Sequence, residues 1–151
     1  MRKARRGFTL VELVITLAIV AILASLALPS YRKYFQKSNR GVGKAVLTQV
    51  IAREESFLAD RKVYSTTLAG MGFPGDPTYI DKDGTPQAAT TSDRIYTIAV
   101  CAAAPCVAAT ATTVWFSATP INTQSGDDCG TLYISTAGDK STSTGTNCWK
   151  K

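Results

Sequence analysis

The sequence contains no histidine, so it can build neither a histidine-based triad nor an imidazole general base. It has no CxxC pair, which with the missing histidine argues against a zinc site, and no glycine-rich phosphate loop. Charge is scarce where the chain is most apolar: from Phe8 to Pro29, about 22 residues, Glu12 is the single charged side chain. Beyond the first positions no basic block exceeds a pair, as at Lys150-Lys151. Four of the 17 Lys and Arg residues fall in the first six positions, and without the first seven residues thirteen basic side chains face eleven acidic ones, a net charge of +2. That balance argues against a nucleic-acid footprint unless folding clusters the basic groups.

What is present divides into two materials. The apolar run, at roughly 1.5 Å per helical residue, matches a bilayer core of about 30 Å. Arg2, Lys3, Arg5 and Arg6 precede it, which by the positive-inside rule keeps the N-terminus cytoplasmic. After Pro29 the chain is polar, rich in Ser, Thr, Gly and Asp, and of the size of one small domain. All four cysteines lie in this part: Cys101, Cys106, Cys129 and Cys148. An even count in a small exported domain favours disulfides. Three connectivities exist, and pairing of sequence neighbours, Cys101–Cys106 and Cys129–Cys148, is the expectation.

Pro29 ends the apolar run without having to end the helix. Beyond it Tyr31 to about Asp60 reads as amphipathic. Val46, Val50 and Phe57 form one row, Leu47, Ile51 and Leu58 the next, and the two make an apolar stripe. Lys44, Arg53, Glu54 and Glu55 are assigned to the solvated face. Gly41 and Gly43 weaken the helix by roughly 1 kcal/mol each relative to Ala, and mark either close packing or a flexible point. A continuous helix from Phe8 to Asp60 would be roughly 80 Å long, more than a small domain can hold, so half of it must protrude.

The remaining head, from about Arg61, is small enough to need staples. Arg61 to Asp93 carries turn signals, Gly72-Phe73-Pro74-Gly75-Asp76-Pro77 and Asp83-Gly84, and reads as a long surface connection. Strands are expected at Arg94–Cys101, Thr113–Ala118 and Thr131–Ser135, which are β-branched and aromatic and separated by turn clusters. The fold class is α+β, a long helix under an antiparallel sheet of three to four strands. Asp127-Asp128 reads as a solvated turn. Asp81-Lys82-Asp83-Gly84 opens like a calcium loop but lacks the later ligands. Trp115 and Trp149 read as packing residues. No catalytic, cofactor or metal residues are assigned, and no enzyme is expected.

Two N-terminal features separate this chain from an ordinary secreted protein or a plain signal anchor. A secretory signal is cut after its apolar core, as Ser25-Leu26-Ala27 could allow. Gly7-Phe8 instead precedes the run, and Glu12 stands inside it. A carboxylate costs roughly 2.5–3.5 kcal/mol at the centre of a membrane helix, less near its end. A helix that must recruit a neighbour gains from such a group. Cleavage after Gly7 would leave a positive Phe8 amine one turn from Glu12, and glycine leaves the backbone open to a peptidase.

Arg5-Arg6-Gly7-Phe8-Thr9-Leu10-Val11-Glu12-Leu13 resembles the class III signal of type IV pilins and pseudopilins. The resemblance implies cleavage after Gly7 by a prepilin peptidase, N-methylation of Phe8, and a role for Glu12 in subunit incorporation. It implies a bend near Ala24–Pro29, and a C-terminal disulfide-bounded region that Cys129–Cys148 would close. Ser38-Asn39-Arg40, Gln49–Glu55, Ala118-Thr119-Pro120-Ile121-Asn122-Thr123-Gln124, Asp128-Cys129-Gly130-Thr131-Leu132, Gly138 and Cys148-Trp149 are similar to PilE-type minor pilins. Cys101 and Cys106 are not general in that group.

The organisation implied is a leader (1–7), a membrane and filament-core helix (8–29), an amphipathic helix (30–60) and a globular head (61–151). The implied role is a minor pilin of a retractable type IV pilus, used in motility and adhesion. Its implied partners are other pilins, the prepilin peptidase and, before assembly, the inner membrane, with a periplasmic head that later becomes extracellular. The alternatives are a major pilin, a type II secretion pseudopilin, or a DNA-binding competence pilin, which would need a basic patch on the head.

Overall fold

The structure is a computed structural model that describes residues 8–101, 106 and 112–150. The basic leader with Gly7, and the Ala104-Pro105 turn, lie outside the described residues. The chain divides into two compact units, residues 1–35 and 36–151. One helix, α1 (Leu10–Arg61), contributes to both and contains Pro29 without interruption.

Among the described residues of the first unit the large apolar side chains are exposed, Phe8, just before the helix, by 79% and Leu26 within it by 70%. Thr16 and Ser25 turn their hydroxyls back onto the carbonyls of Leu13 and Ile22, at 2.8 and 2.7 Å, so even the polar residues present little polarity. Among the described residues α1 is the helix long and apolar enough to cross a membrane.

The second unit has its own core. Six antiparallel strands form one sheet in the order β2-β1-β3-β4-β5-β6: β1 (Thr78–Asp81), β2 (Pro86–Gln87), β3 (Arg94–Cys101), β4 (Trp115–Pro120), β5 (Leu132–Ser135) and β6 (Lys140–Thr142). The register aligns Ile98, Ala118 and Leu132 in one row, and Val100, Phe116 and Ile134 in the next. These rows are the core-facing side of the pleat, since alternate residues share a face. Val46, Leu47 and Val50 of the α1 stripe join them in one cluster, with Ile51 and Phe57 packed at its margin.

The expected three to four strands are thus corrected to six. The additional ones, β1, β2 and β6, are short: β1 alternates in burial but pairs Thr78 with Ile80 on its buried side, and β2 and β6 bury no residue fully. Pro86 sits in the outermost strand, where a missing N–H breaks no ladder. The stretch read as a surface connection also supplies core: Leu68, Met71, Phe73 and Ile80 are buried, and a 3-10 turn forms at Ala69–Met71. Two disulfides join Cys101 to Cys106 and Cys129 to Cys148.

Candidate functional site

Three places in the molecule carry concentrated chemistry. The first is the start of α1. Thr9 caps it: its hydroxyl accepts from the Glu12 N–H at 3.2 Å and its carbonyl from the Leu13 N–H at 3.2 Å. Thr9-Leu10-Val11-Glu12 has the spacing of a capping box, a signal that the sequence reading passed over. Glu12 lies in the first turn, where the positive end of the helix dipole favours a carboxylate. Its side chain is exposed, as is Phe8.

The second is a polar lock between α1 and the loop before Cys129. The Asp127 side chain is fully buried and ion-paired to Arg40. The Arg40 Nε donates to it at 3.1 Å, the Tyr96 hydroxyl at 3.0 Å, the Gln124 amide at 2.7 Å and the Cys129 N–H at 2.9 Å. Gln124, also fully buried, donates to the Gln36 carbonyl at 2.9 Å and accepts from Asn39 at 3.1 Å. Burial works against the Asp127 carboxylate, but the hydrogen bonds from Arg40, Cys129, Tyr96 and Gln124 outweigh it and hold its pKa below the usual range. Burial, then the Asp127 charge, pushes the Tyr96 phenol up, so it stays a donor. A carboxylate surrounded by this many donors is a structural clasp.

Contrary to the solvated turn expected at Asp127-Asp128, only Asp128 of the pair is exposed. Likewise Glu54 is not on the solvated face of α1 but fully buried. One of its oxygens accepts from the Ser65 N–H at 2.5 Å, and the other has no partner. Burial pushes its pKa up, against the lowering effect of that hydrogen bond. Gly43 is explained by close packing. A Cβ there would stand 3.1 Å from the Tyr96 ring, whereas at Gly41 it would meet nothing within 4 Å. Asp81 closes the β1–β2 turn, accepting from the N–H groups of Asp83 and Thr85 at 3.0 Å each, so its oxygen serves the backbone. Among the described residues no group of three His, Cys, Asp or Glu could hold a metal ion.

The third is a cleft lined by Lys37, Arg40, Gly41 and Lys44 of α1 and by Asn147, Cys148 and Lys150. The Cys129–Cys148 bridge holds the last three there, and the Lys44 ammonium donates to the Lys150 carbonyl at 3.4 Å. Burial, and then the charges of Arg40 and Lys37, hold the Lys44 pKa below its usual value. Residues more than a hundred positions apart thus form a basic patch that net charge alone conceals.

A family model described as "Type IV minor pilin ComP, DNA uptake sequence receptor" matches residues 29–133, and one for the prokaryotic N-terminal methylation motif matches residues 2–28. A type IV wide pilus major component of Thermus thermophilus is 33% identical over 122 residues, covering 80% of this chain and 85% of its own. The type IV major pilin of Myxococcus xanthus is 37% identical over 68 residues, 45% of this chain and 31% of its own. A fimbrial protein of Pseudomonas aeruginosa is 32% identical over 103 residues, 64% of this chain and 66% of its own. The chain therefore spans less than a third of the Myxococcus relative and just under two thirds of the Pseudomonas one. A solved type IV pilin from Shewanella oneidensis aligns with a TM-score of 0.49 at 18% identity, over 77% of this chain and 99% of that one. On the strength of the family models and the Thermus relative, this chain belongs to the type IV pilin family.

Proposed function

We propose that the chain is a minor pilin. It is made as a prepilin and cut after Gly7 by a prepilin peptidase. It is N-methylated on Phe8 and held in the inner membrane by residues 8–29, with its head on the periplasmic side. From there it packs with other pilins into an extracellular pilus that serves motility and adhesion. The observation that carries this reading is the bare apolar stretch of the first unit, in a chain whose second unit completes its core without it. Covering one large apolar side chain contributes about 1.5–3 kcal/mol, so packing this helix among neighbours holds a filament together without covalent links. Glu12, capped into the first turn, is one turn from the amine that cleavage creates, and pairs with the Phe8 amine of an adjacent subunit.

Intact mass of the protein from membranes tests the processing: it should start at methylated Phe8, and a start at Met1 in a strain with active peptidase would sink the proposal. Glu12→Ala should be processed normally yet be missing from sheared pili. Quantitative mass spectrometry of wild-type pili should find this chain as a small fraction of subunits; a dominant share would make it the major pilin.

A second reading, a pilin that binds DNA, is favoured by the description of the matching family model and by the cleft at Lys37, Lys44 and Lys150.

A further inference from the structure

Lys37, Gly41 and Lys44 recur at intervals of four and three residues, so they share one face of α1. The floor between the two lysines is bare: no atom lies within 4 Å of the place a Gly41 side chain would begin. Arg40 borders this floor, but its charge is already taken by Asp127. Lys37, Lys44 and Lys150 enter no ion pair among the described residues. Three lysines without an ion-pair partner among the described residues therefore line one open cleft, and its far wall is fixed in place by a disulfide. Like charges gathered in this way repel one another, and an entering anion relieves that repulsion.

The kind of anion follows from the donors. Lysine presents a compact point charge with rotatable donors, suited to phosphate oxygens rather than to planar bidentate pairing. The helix rise sets Lys37 and Lys44 about 10 Å apart along the axis, so they reach different phosphates of one strand. The arginine in the cleft is engaged by Asp127, and Asn147 is the one amide side chain lining it. The cleft is thus equipped for backbone contact and poorly equipped to read base edges.

We propose that this cleft is a phosphodiester site, which holds the nucleic-acid backbone through Lys37, Lys44 and Lys150 without regard to base sequence. The proposal rests on the DNA-binding reading and goes beyond it in naming the residues and the mode. Three phosphate contacts give a plot of log affinity against log salt with a slope of about −2.7 on duplex DNA, a loss of about 40-fold between 50 and 200 mM.

The test uses the full chain in a neutral detergent with a fluorescent duplex of arbitrary sequence, read by anisotropy across a salt series. Wild type should bind with that slope, and equally well when the sequence is scrambled. Lys37→Gln, Lys44→Gln and Lys150→Gln should each flatten the slope by about one contact. The triple Gln variant should lose binding, and the triple Arg variant should keep it. Thermal melts of each variant separate lost binding from lost folding. Wild type that fails to bind at low salt would end the DNA reading itself. Wild type that binds while the triple Gln variant binds equally well would leave that reading standing and overturn this site. Displacement of the duplex by a short-chain phosphatidylglycerol at matched phosphate would assign the cleft to lipid headgroups and overturn the nucleic-acid assignment.

Discussion

Glu54 and Asp127 are both buried carboxylates of the head, and pH acts on them in opposite senses. The folded-state pKa of Asp127 is depressed, so its contribution is present above the ordinary carboxylate value and lost as pH falls through the lower one. That of Glu54 is raised, so the stability it contributes is fully present below the ordinary value, about 4.3, and lost as pH climbs through the raised one. Glu54→Gln should therefore stabilise the protein at pH 7 to 8, by about 1 kcal/mol or several degrees of melting temperature, with the gain shrinking towards pH 4. Melting curves across that range check it, and an equal gain at every pH would refute the cause. The two helix glycines give a paired expectation. Gly41→Ala faces open space and should add about 0.5–1 kcal/mol. Gly43→Ala pushes against the Tyr96 ring and should cost about 1–3 kcal/mol by denaturant titration. The burial of Glu54 was within reach of the periodicity, since it stands four residues after Val50, in the row of Val46, Val50 and Phe57. Its charge made a solvated position look natural. Asp127 offered no such signal, because its partners Arg40 and Tyr96 lie on α1 and β3, far along the chain.

Among the elements, legibility followed composition. β3, β4 and β5 are built from β-branched and aromatic residues and could be placed to within two residues. β2 and β6 are held by pairing to neighbours rather than by an apolar pattern of their own, and β1 puts one fully buried apolar side chain, Ile80, into the core, so a local reading takes all three for loop. Disulfides could be anticipated because an even set of cysteines in a small exported domain has few other uses. Their weights should differ. Replacing Cys129 and Cys148 by Ser opens a bridge of sequence separation 19 and should cost about 3 kcal/mol. Replacing Cys101 and Cys106 opens one of separation 5 and should cost about 2 kcal/mol. Denaturant midpoints of the two double variants provide the comparison. Loss of the first bridge also frees Trp149, whose ring N–H donates to the Ser141 carbonyl of β6 at 2.9 Å, so the far end of the sheet should loosen in hydrogen exchange as well.

Taken as a molecule, the chain keeps its core and its apolar helix in separate accounts of structure. Among the described residues no core residue comes before Val42, and Gln36 is the first residue of the polar lock. A fragment from Gln36 onward should therefore fold in water without detergent, and melt within a few degrees of the full chain in detergent. An aggregated or unfolded fragment would mean that the first unit is required for folding. The division was visible in the sequence because the apolar run and the cysteines lie at opposite ends. The basic cleft was not, because Lys37 and Lys44 stand alone in the chain and meet Lys150, itself followed by Lys151, only through one bridge and one helix face. The lock at Asp127 also sets an order of events in time. Arg40 and Asp127 are 87 positions apart, so the clasp closes only after nearly all of the chain has been made. A polypeptide that stops short of Asp127 leaves the Arg40 guanidinium and the Tyr96 hydroxyl without that acceptor, and the core without Leu132 and Ile134. Quality-control proteases thereby have a way to tell an unfinished subunit from a finished one.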